Sequence, residues 1–333
     1  MAGSDLWYID GFAGPGEYEN APKGSPIAAL SAAENALKNV GANWKAGKIH
    51  CVFIEQDKDR LVHLQQLLQG KYSQVERLFF ESSFVDGLAQ LRNESANPFS
   101  HDSPLFTFID PFGAKGVPFS EIKSLLSQST SEVLINLDSD GVARIFLAED
   151  SSNYEEILDE VFGDADWRTV LPRFRNTTDL YRGVLALYKE RLLTIPGVRY
   201  VFAFEMRSTG DSLNYHLVFA SKHPLGLAKM KEAMKKIAQN GEYVFSDARI
   251  GQTSLFRFDD PATHSQDCYD HFRGRSATYD EMRDYALNES PFVNPKAMLK
   301  ILEQRGLIEV SSSNAKRRVG TFSEDHLICV RFI

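Results

Sequence analysis

The chain has 333 residues, long enough for a full core and a second, smaller domain, and 43% hydrophobic with 25% charged residues is a globular composition. A formal net charge of -8 excludes nucleic-acid binding driven by overall charge, so such contact has to come from a local basic patch. The three scattered cysteines, Cys51, Cys268 and Cys329, argue against a disulfide framework or a cysteine-held metal.

The N-terminus has no signal-like series, and no apolar run approaches the roughly 18 residues of a membrane span, so a cytoplasmic setting is expected. Leu6–Asp10 is a short apolar run that ends in a carboxylate and then breaks into Gly11, Gly14 and Gly16. Glycines let the backbone turn sharply and approach a ligand, and an acid there can hold a charged or hydroxylated group. Four further apolar runs follow: Ile49–Glu55, Val75–Glu81, Leu105–Asp110 and Glu132–Leu137. Helical patterns lie between them, among them Pro26–Leu37, Lys58–Leu68 and Phe119–Leu126. This alternation predicts an α/β fold with a parallel sheet covered on both faces. Ser25 is expected to cap the first helix, with Pro26 at its first position. Asp10, Glu55, Asp110 and the Asn136–Asp138 stretch all fall at strand ends, where open α/β sheets bind ligands.

Residues 151–195 read as a helical insertion. Val198–Arg207 and Leu213–Ser221 are strand-like, and the glycine-containing link 208–212 predicts a hairpin. A Rossmann-like parallel sheet that finishes in such a hairpin marks the S-adenosylmethionine methyltransferase sheet rather than the dehydrogenase one. The spacing from Asp10 to Glu55 also exceeds the roughly 20 residues of a dinucleotide site. The first domain is expected over residues 1–250 and a second over 262–333. In the second, Thr278 and Glu281 have capping-box spacing, and Asn294-Pro295 opens a helix with Met298, Leu299 and Leu302 on one face, stopped by Gly306. Leu307–Val310 and Thr321–Ile333 read as strands around a basic loop. This pattern predicts a winged helix-turn-helix. Lys316, Arg317 and Arg318 on the wing, with Lys296 and Lys300 on the second helix, are the candidate phosphate contacts for RNA or DNA.

For S-adenosylmethionine the candidate binding residues are Asp10, Phe12, Gly14, Gly16, Glu55 and Ser83. The Asp10–Gly16 loop suits the charged end, Glu55 (or Asp57) the ribose diol, and the loop after the third strand, through Ser83, the adenine edge. The fourth strand ends in Asp110-Pro111-Phe112-Gly113. Methylation of an exocyclic amine needs an acceptor for the amine hydrogens and a flat surface for the base. Asp110 with the Pro111 carbonyl fits the first need and Phe112 the second. The separated acids disfavour a two-metal nuclease.

The segments Tyr8–Gly16, Gly24–Pro26, Phe53–Glu55, Phe108–Gly113, Leu134–Asn136 and Tyr215–Ser221, followed by His223-Pro224 and Gly226-Leu227, resemble the three-Cys-motif partner family. The resemblance covers most of residues 6–240 and implies a methyltransferase-like fold and a partner protein carrying the three-cysteine motif. Tyr8, Asp10, Ala13, Gly14, Gly16 and Tyr18 are also similar to the first motif of ribosomal-RNA adenine-N6 methyltransferases. Those enzymes carry Asp-Pro-Pro-Tyr at the fourth strand, where this chain has Asp110-Pro111-Phe112-Gly113. The chain opens directly at its first strand, where relatives usually have a helical segment, so part of the cofactor or substrate pocket is expected to be formed differently or to be absent from this chain. Two readings stay open: a methyltransferase acting on a nucleobase, and a non-catalytic partner protein that uses the fold as a scaffold.

Overall fold

The computed structural model describes residues 4–19, 23–101, 103–148, 154–174, 179–207, 213–237, 243–246, 259–324 and 327–333. In chain order the elements are β1 (Leu6–Asp10), α1 (Ser25–Val40), β2 (Ile49–Glu55), α2 (Lys58–Leu67), β3 (Glu76–Glu81), α3 (Phe84–Asn93), β4 (Leu105–Ile109), α4 (Phe119–Leu125) and β5 (Ser131–Leu137). They continue with α5 (Ser139–Leu147), α6 (Glu155–Phe162), α7 (Trp167–Val170), α8 (Leu180–Leu193), β6 (Tyr200–Arg207), β7 (Leu213–Ser221), α9 (Pro224–Lys235) and β8 (Val244–Ser246). The last are α10 (Pro261–Phe272), β9 (Ser276–Thr278), α11 (Tyr279–Glu289), α12 (Lys296–Gln304), β10 (Ile308–Ser312) and β11 (Ile328–Phe332). The chain separates into two compact units, residues 1–198 with 214–222, and residues 199–213 with 223–333.

In the first unit the strand order is β3-β2-β1-β4-β5-β7. The first five strands pair in parallel, and β7 runs antiparallel to β5, from Glu132 opposite Ser221 to Leu137 opposite His216. All seven residues of β2 are buried, which is why that run is continuously apolar: a strand covered on both faces has no solvent side to mark with polar residues. Cys51 is one of them, a small core residue. The strand order reverses between β1 and β4, and such a reversal leaves a crevice at the carboxyl ends of those two strands.

Helix starts follow local rules with one correction. Asp57, Ser83 and Asp138 cap α2, α3 and α5 through their side chains. For α1 the cap is Gly24, without a side-chain bond; Ser25 is already helical, and its hydroxyl bonds to Asp10 instead. The segment expected to be helical carries α6, α7, a 3-10 turn at Leu171–Phe174 and α8. Tyr188 of α8 meets the edge of Phe119 of α4 at 6.0 Å between centroids.

In the second unit β6 and β8 pair in parallel, and a separate antiparallel sheet has the order β10-β11-β9. The link 208–212, read as a hairpin turn, lies outside the described residues. Thr278 and Glu281 make the expected capping box: each side chain bonds the other's backbone N–H. Met298, Leu299 and Leu302 of α12 enter a core with Met282, Phe272 and Phe332. One buried cation was not foreseen. Lys231 is fully buried, and its Nζ donates to the carbonyls of Ser290 at 2.6 Å, Ala286 at 3.3 Å and Phe292 at 3.4 Å, with the Phe202 ring 4.0 Å away. Carbonyl dipoles and a ring face stand in for the lost water. Among the described residues no helix is long and apolar enough to cross a membrane.

Candidate functional site

The loop after β1 is built from its own glycines and two strand-end acids. Gly14 and Gly16 take φ of +62° and +86°, a region that side chains disfavour. A Cβ on Gly16 would stand 2.6 Å from Leu64 Cδ1, and one on Gly14 would collide with the Tyr18 hydroxyl. Gly24 N–H donates to the Gly16 carbonyl at 2.7 Å, closing the loop, and a Cβ on Gly24 would lie 2.8 Å from that same oxygen. The expected close approach of backbone is therefore present, within the loop itself.

Glu55 holds this loop to β2. Its Oε2 accepts from Gly14 N–H at 2.8 Å and its Oε1 from Asp57 N–H at 2.8 Å, while Ala13 N–H donates to the Ile54 carbonyl at 2.9 Å. Asp10 is fully buried. It accepts from the Tyr8 hydroxyl at 3.3 Å, from Phe12 N–H at 3.4 Å and from Ser25. Burial pushes its carboxyl up to about 7; the three hydrogen bonds pull the other way, and the Asp110 charge adds to the rise. Asp10 was expected to present a carboxylate to the cofactor; it is fully buried with its oxygens bonded to Tyr8, Phe12 and Ser25, and it anchors the turn. Phe12 packs on Phe84, 5.6 Å between centroids.

At the end of β3 two neighbouring serines part ways. Ser83 Oγ accepts from Asp86 N–H at 3.2 Å and donates to Asp86 Oδ2 at 2.7 Å, so the residue expected at the adenine edge is a helix cap. The Ser83-x-x-Asp86 spacing was the available signal for that role. Ser82, in the same loop read as the adenine edge, donates its N–H to the Glu55 carbonyl at 3.1 Å, and its buried hydroxyl has no partner among the described residues.

The end of β4 is open. Asp110 is exposed and accepts at Oδ1 from Asn136 Nδ2 of β5 at 2.5 Å. Phe112 stands with its ring wholly in solvent. The Pro111 carbonyl, expected as a second acceptor, takes Gly113 N–H at 3.0 Å in a tight turn with Gly113 at φ +97°. A small crevice lies against this turn, lined by Pro111, Gly113, Asn136, Asp138 and Tyr188. Tyr18 ties the two halves of the site together electrostatically. Its phenol is raised above the ordinary value by burial and then by the charges of Asp110, Asp10 and Glu55, with Arg60 opposing. Asp110, Asp10 and Glu55 thus all act on one phenol.

In the second unit the basic loop is divided. Arg317 makes a two-pronged pair with Glu303 of α12, Nη1 to Oε1 at 2.7 Å and Nη2 to Oε2 at 2.6 Å, and lies 4.7 Å from the Phe322 ring. Burial pushes the Glu303 carboxyl up, but the bonds from Arg317 and Gly320 N–H outweigh it and hold it below the usual range. Arg317 therefore clamps the loop to the helix and is not available as a phosphate contact. Lys296 pairs with Glu324 at 3.0 Å, whereas Lys300, Lys316 and Arg318 are exposed.

The chain matches no protein-family model and no curated protein. Among solved structures it is similar to an O-methyltransferase from Bacillus cereus in complex with SAH, at 13% identity and a TM-score of 0.35, covering 66% of this chain and 74% of that one. A geranyl diphosphate methyltransferase in complex with GPP and sinefungin has 11% identity and a TM-score of 0.28, covering 67% and 73%. The cyclopropane synthase MmaA2 from Mycobacterium tuberculosis has 10% identity and a TM-score of 0.26, covering 71% and 66%. Likeness at this level adds no weight to what the strand order and the site carry by themselves.

Proposed function

We propose that the chain is an S-adenosylmethionine-dependent methyltransferase acting on nucleic acid, at a nucleobase. The observation that carries this reading is a sheet whose order reverses between β1 and β4 and is closed by the antiparallel β7, with a glycine loop tied to Glu55 at the ends of β1 and β2 and an exposed Asp110-Pro111-Phe112-Gly113 turn at the end of β4. The residues present fit the cofactor. The positive φ of Gly14 and Gly16 keeps the turn free of side chains, and the unpartnered Ser82 hydroxyl at the end of β3 suits a polar ring edge. An acidic neighbourhood favours a cationic ligand. When bound, S-adenosylmethionine supplies an electrophilic methyl group. The chain's own part is to hold the target base, with Asp110 as acceptor and Phe112 as stacking surface, because positioning supplies much of the barrier reduction in such transfers.

For residues 261–333 the order helix, strand, helix, helix, strand, strand supports a winged-helix reading. On that reading Lys300, Lys316 and Arg318 are the phosphate contacts, and the resemblance to the three-Cys-motif partner family adds a three-cysteine protein as partner.

Calorimetric titration of the whole chain with S-adenosylmethionine and S-adenosylhomocysteine tests the cofactor. Micromolar binding that weakens at least about tenfold in Glu55→Ala, followed by methyl transfer to RNA or DNA that Asp110→Ala abolishes, supports the reading. A second reading, a non-catalytic scaffold, is favoured by the Pro111 carbonyl being engaged in its own turn. Absence of cofactor binding by the intact chain, alone and with its partner, would establish that reading instead.

A further inference from the structure

The loop between β10 and β11 is built on one carboxylate of α12. Glu303 takes Arg317 Nη1 on Oε1 at 2.7 Å and Nη2 on Oε2 at 2.6 Å, and Oε2 also accepts from Gly320 N–H at 2.7 Å. The guanidinium Nε–H goes to the Thr321 carbonyl at 2.8 Å. Both side chains are withdrawn from solvent, Arg317 at 12% and Glu303 at 11% exposure. Around this clamp the chain is pinned turn by turn. Lys316 N–H donates to Asn314 Oδ1 at 3.0 Å and Thr321 N–H to the Arg318 carbonyl at 3.1 Å. The Lys300 stem lies against Gly320, with its Cγ 3.1 Å from a Cβ built there. What the clamp leaves outside is Lys300, Lys316 and Arg318, exposed and without an ion pair among the described residues. The nearby acids are already spent, Glu303 on Arg317 and Glu324 on Lys296.

We infer that Glu303 is a positioning residue for binding the phosphodiester backbone of a nucleic acid, holding loop 314–321 in the shape in which Lys300, Lys316 and Arg318 meet phosphates together. This deepens the proposed function and rests on its nucleic-acid reading. The argument turns on a sign. A carboxylate inside a basic patch repels phosphate, so charge alone says that removing it tightens binding. Preorganisation says the opposite. Without Glu303 the Arg317 guanidinium keeps the Thr321 carbonyl and the Phe322 ring at 4.7 Å, Gly320 N–H loses its acceptor, and binding has to order the loop. The second effect wins, because Arg317 in contact already cancels most of the Glu303 charge seen by a ligand, whereas the ordering cost falls wholly on binding. Glu324 is the contrast. It is 56% exposed and pairs with Lys296 at 3.0 Å, outside the clamp, so its removal frees a cation and leaves the Glu303–Arg317 pair in place.

The test reads binding and not turnover. Fluorescence anisotropy gives the affinity of the whole chain for a short mixed-sequence DNA duplex, and for the same duplex in RNA, over a range of salt. The proteins are the wild type, Glu303→Gln, Arg317→Gln, Glu324→Gln and the double variant Lys316→Ala/Arg318→Ala, each checked as folded by its melting curve. Glu303→Gln is expected to weaken binding at least about fivefold at fixed salt, with the slope of log K against log salt unchanged. Arg317→Gln breaks the same clamp from the loop side and should act alike, because Arg317 is no phosphate contact. Glu324→Gln should tighten binding, and the double variant should flatten the slope by about two contacts. In 15N-labelled protein the Gly320 amide should exchange faster in both clamp variants, and slow again when duplex is added. Binding by Glu303→Gln as tight as wild type or tighter, or a slope lowered by about one contact in Arg317→Gln, overturns the inference and leaves the nucleic-acid reading standing. Binding that ignores the double variant, or no binding of either duplex by the wild type, strikes the nucleic-acid reading and the inference with it.

Discussion

The acids at the ends of β1 and β2 differ from the acid at the end of β4, although all three look alike as strand-terminal carboxylates. Asp10 and Glu55 are buried and hold backbone N–H groups of the glycine loop, whereas Asp110 is exposed and touches one amide. The first pair builds the glycine loop, and the third is left open to solvent. Burial, not residue type, decides which acid is structural.

Four measurements press on this contrast, from the largest effect to the smallest. Glu55→Ala strands two N–H groups, those of Gly14 and Asp57, and should lower unfolding stability by about 2–4 kcal/mol in denaturant titration. An effect below about 1 kcal/mol would mean that water replaces the carboxylate and that the loop is less tightly anchored. Asp10→Asn should instead change how stability depends on pH. The folded carboxyl is raised to about 7 from an ordinary 3.8, so it keeps its proton while the unfolded chain releases one. Wild-type stability therefore falls as pH rises from about 4 to about 7 and levels off above that. The variant lacks this slope and should gain about 2–4 kcal/mol on the wild type between pH 4 and pH 8, read as paired melting curves. Parallel curves for the two proteins would contradict the buried-acid assignment.

The same contrast recurs among the basic residues. Arg317→Ala removes one partner of a largely buried pair and should cost about 2–3 kcal/mol, while Lys316→Ala and Arg318→Ala stay within about 0.5 kcal/mol. If the exposed pair contacts phosphates, the double variant should flatten the salt dependence of nucleic-acid affinity by about two contacts. Smallest in stability are Asp110→Ala and Phe112→Ala, expected within about 0.5 kcal/mol because neither supports the core. On the proposed function both lose methyl transfer while keeping cofactor affinity.

Much of the architecture was legible in the chain because it is written locally. The strands Leu6–Asp10, Ile49–Glu55 and Leu213–Ser221 end where apolar patterning stops, and the Thr278–Glu281 capping box needs only its own four residues. The row of polar strand ends was also readable, since parallel strands align their carboxyl ends. Which of those groups meets a ligand was not. Ser25 and Asp10 are distant in sequence, as are Glu303 and Arg317, and each pairing took a residue out of the role its position suggested. Ser82 and Ser83 are equal as letters; the start of α3 alone turned one into a cap and left the other's hydroxyl unpartnered. Local propensity and pattern thus determined the elements and their order. Tertiary burial decided which charges hold the fold and which face outward, because desolvation and hydrogen-bond geometry depend on neighbours that only the folded chain brings together.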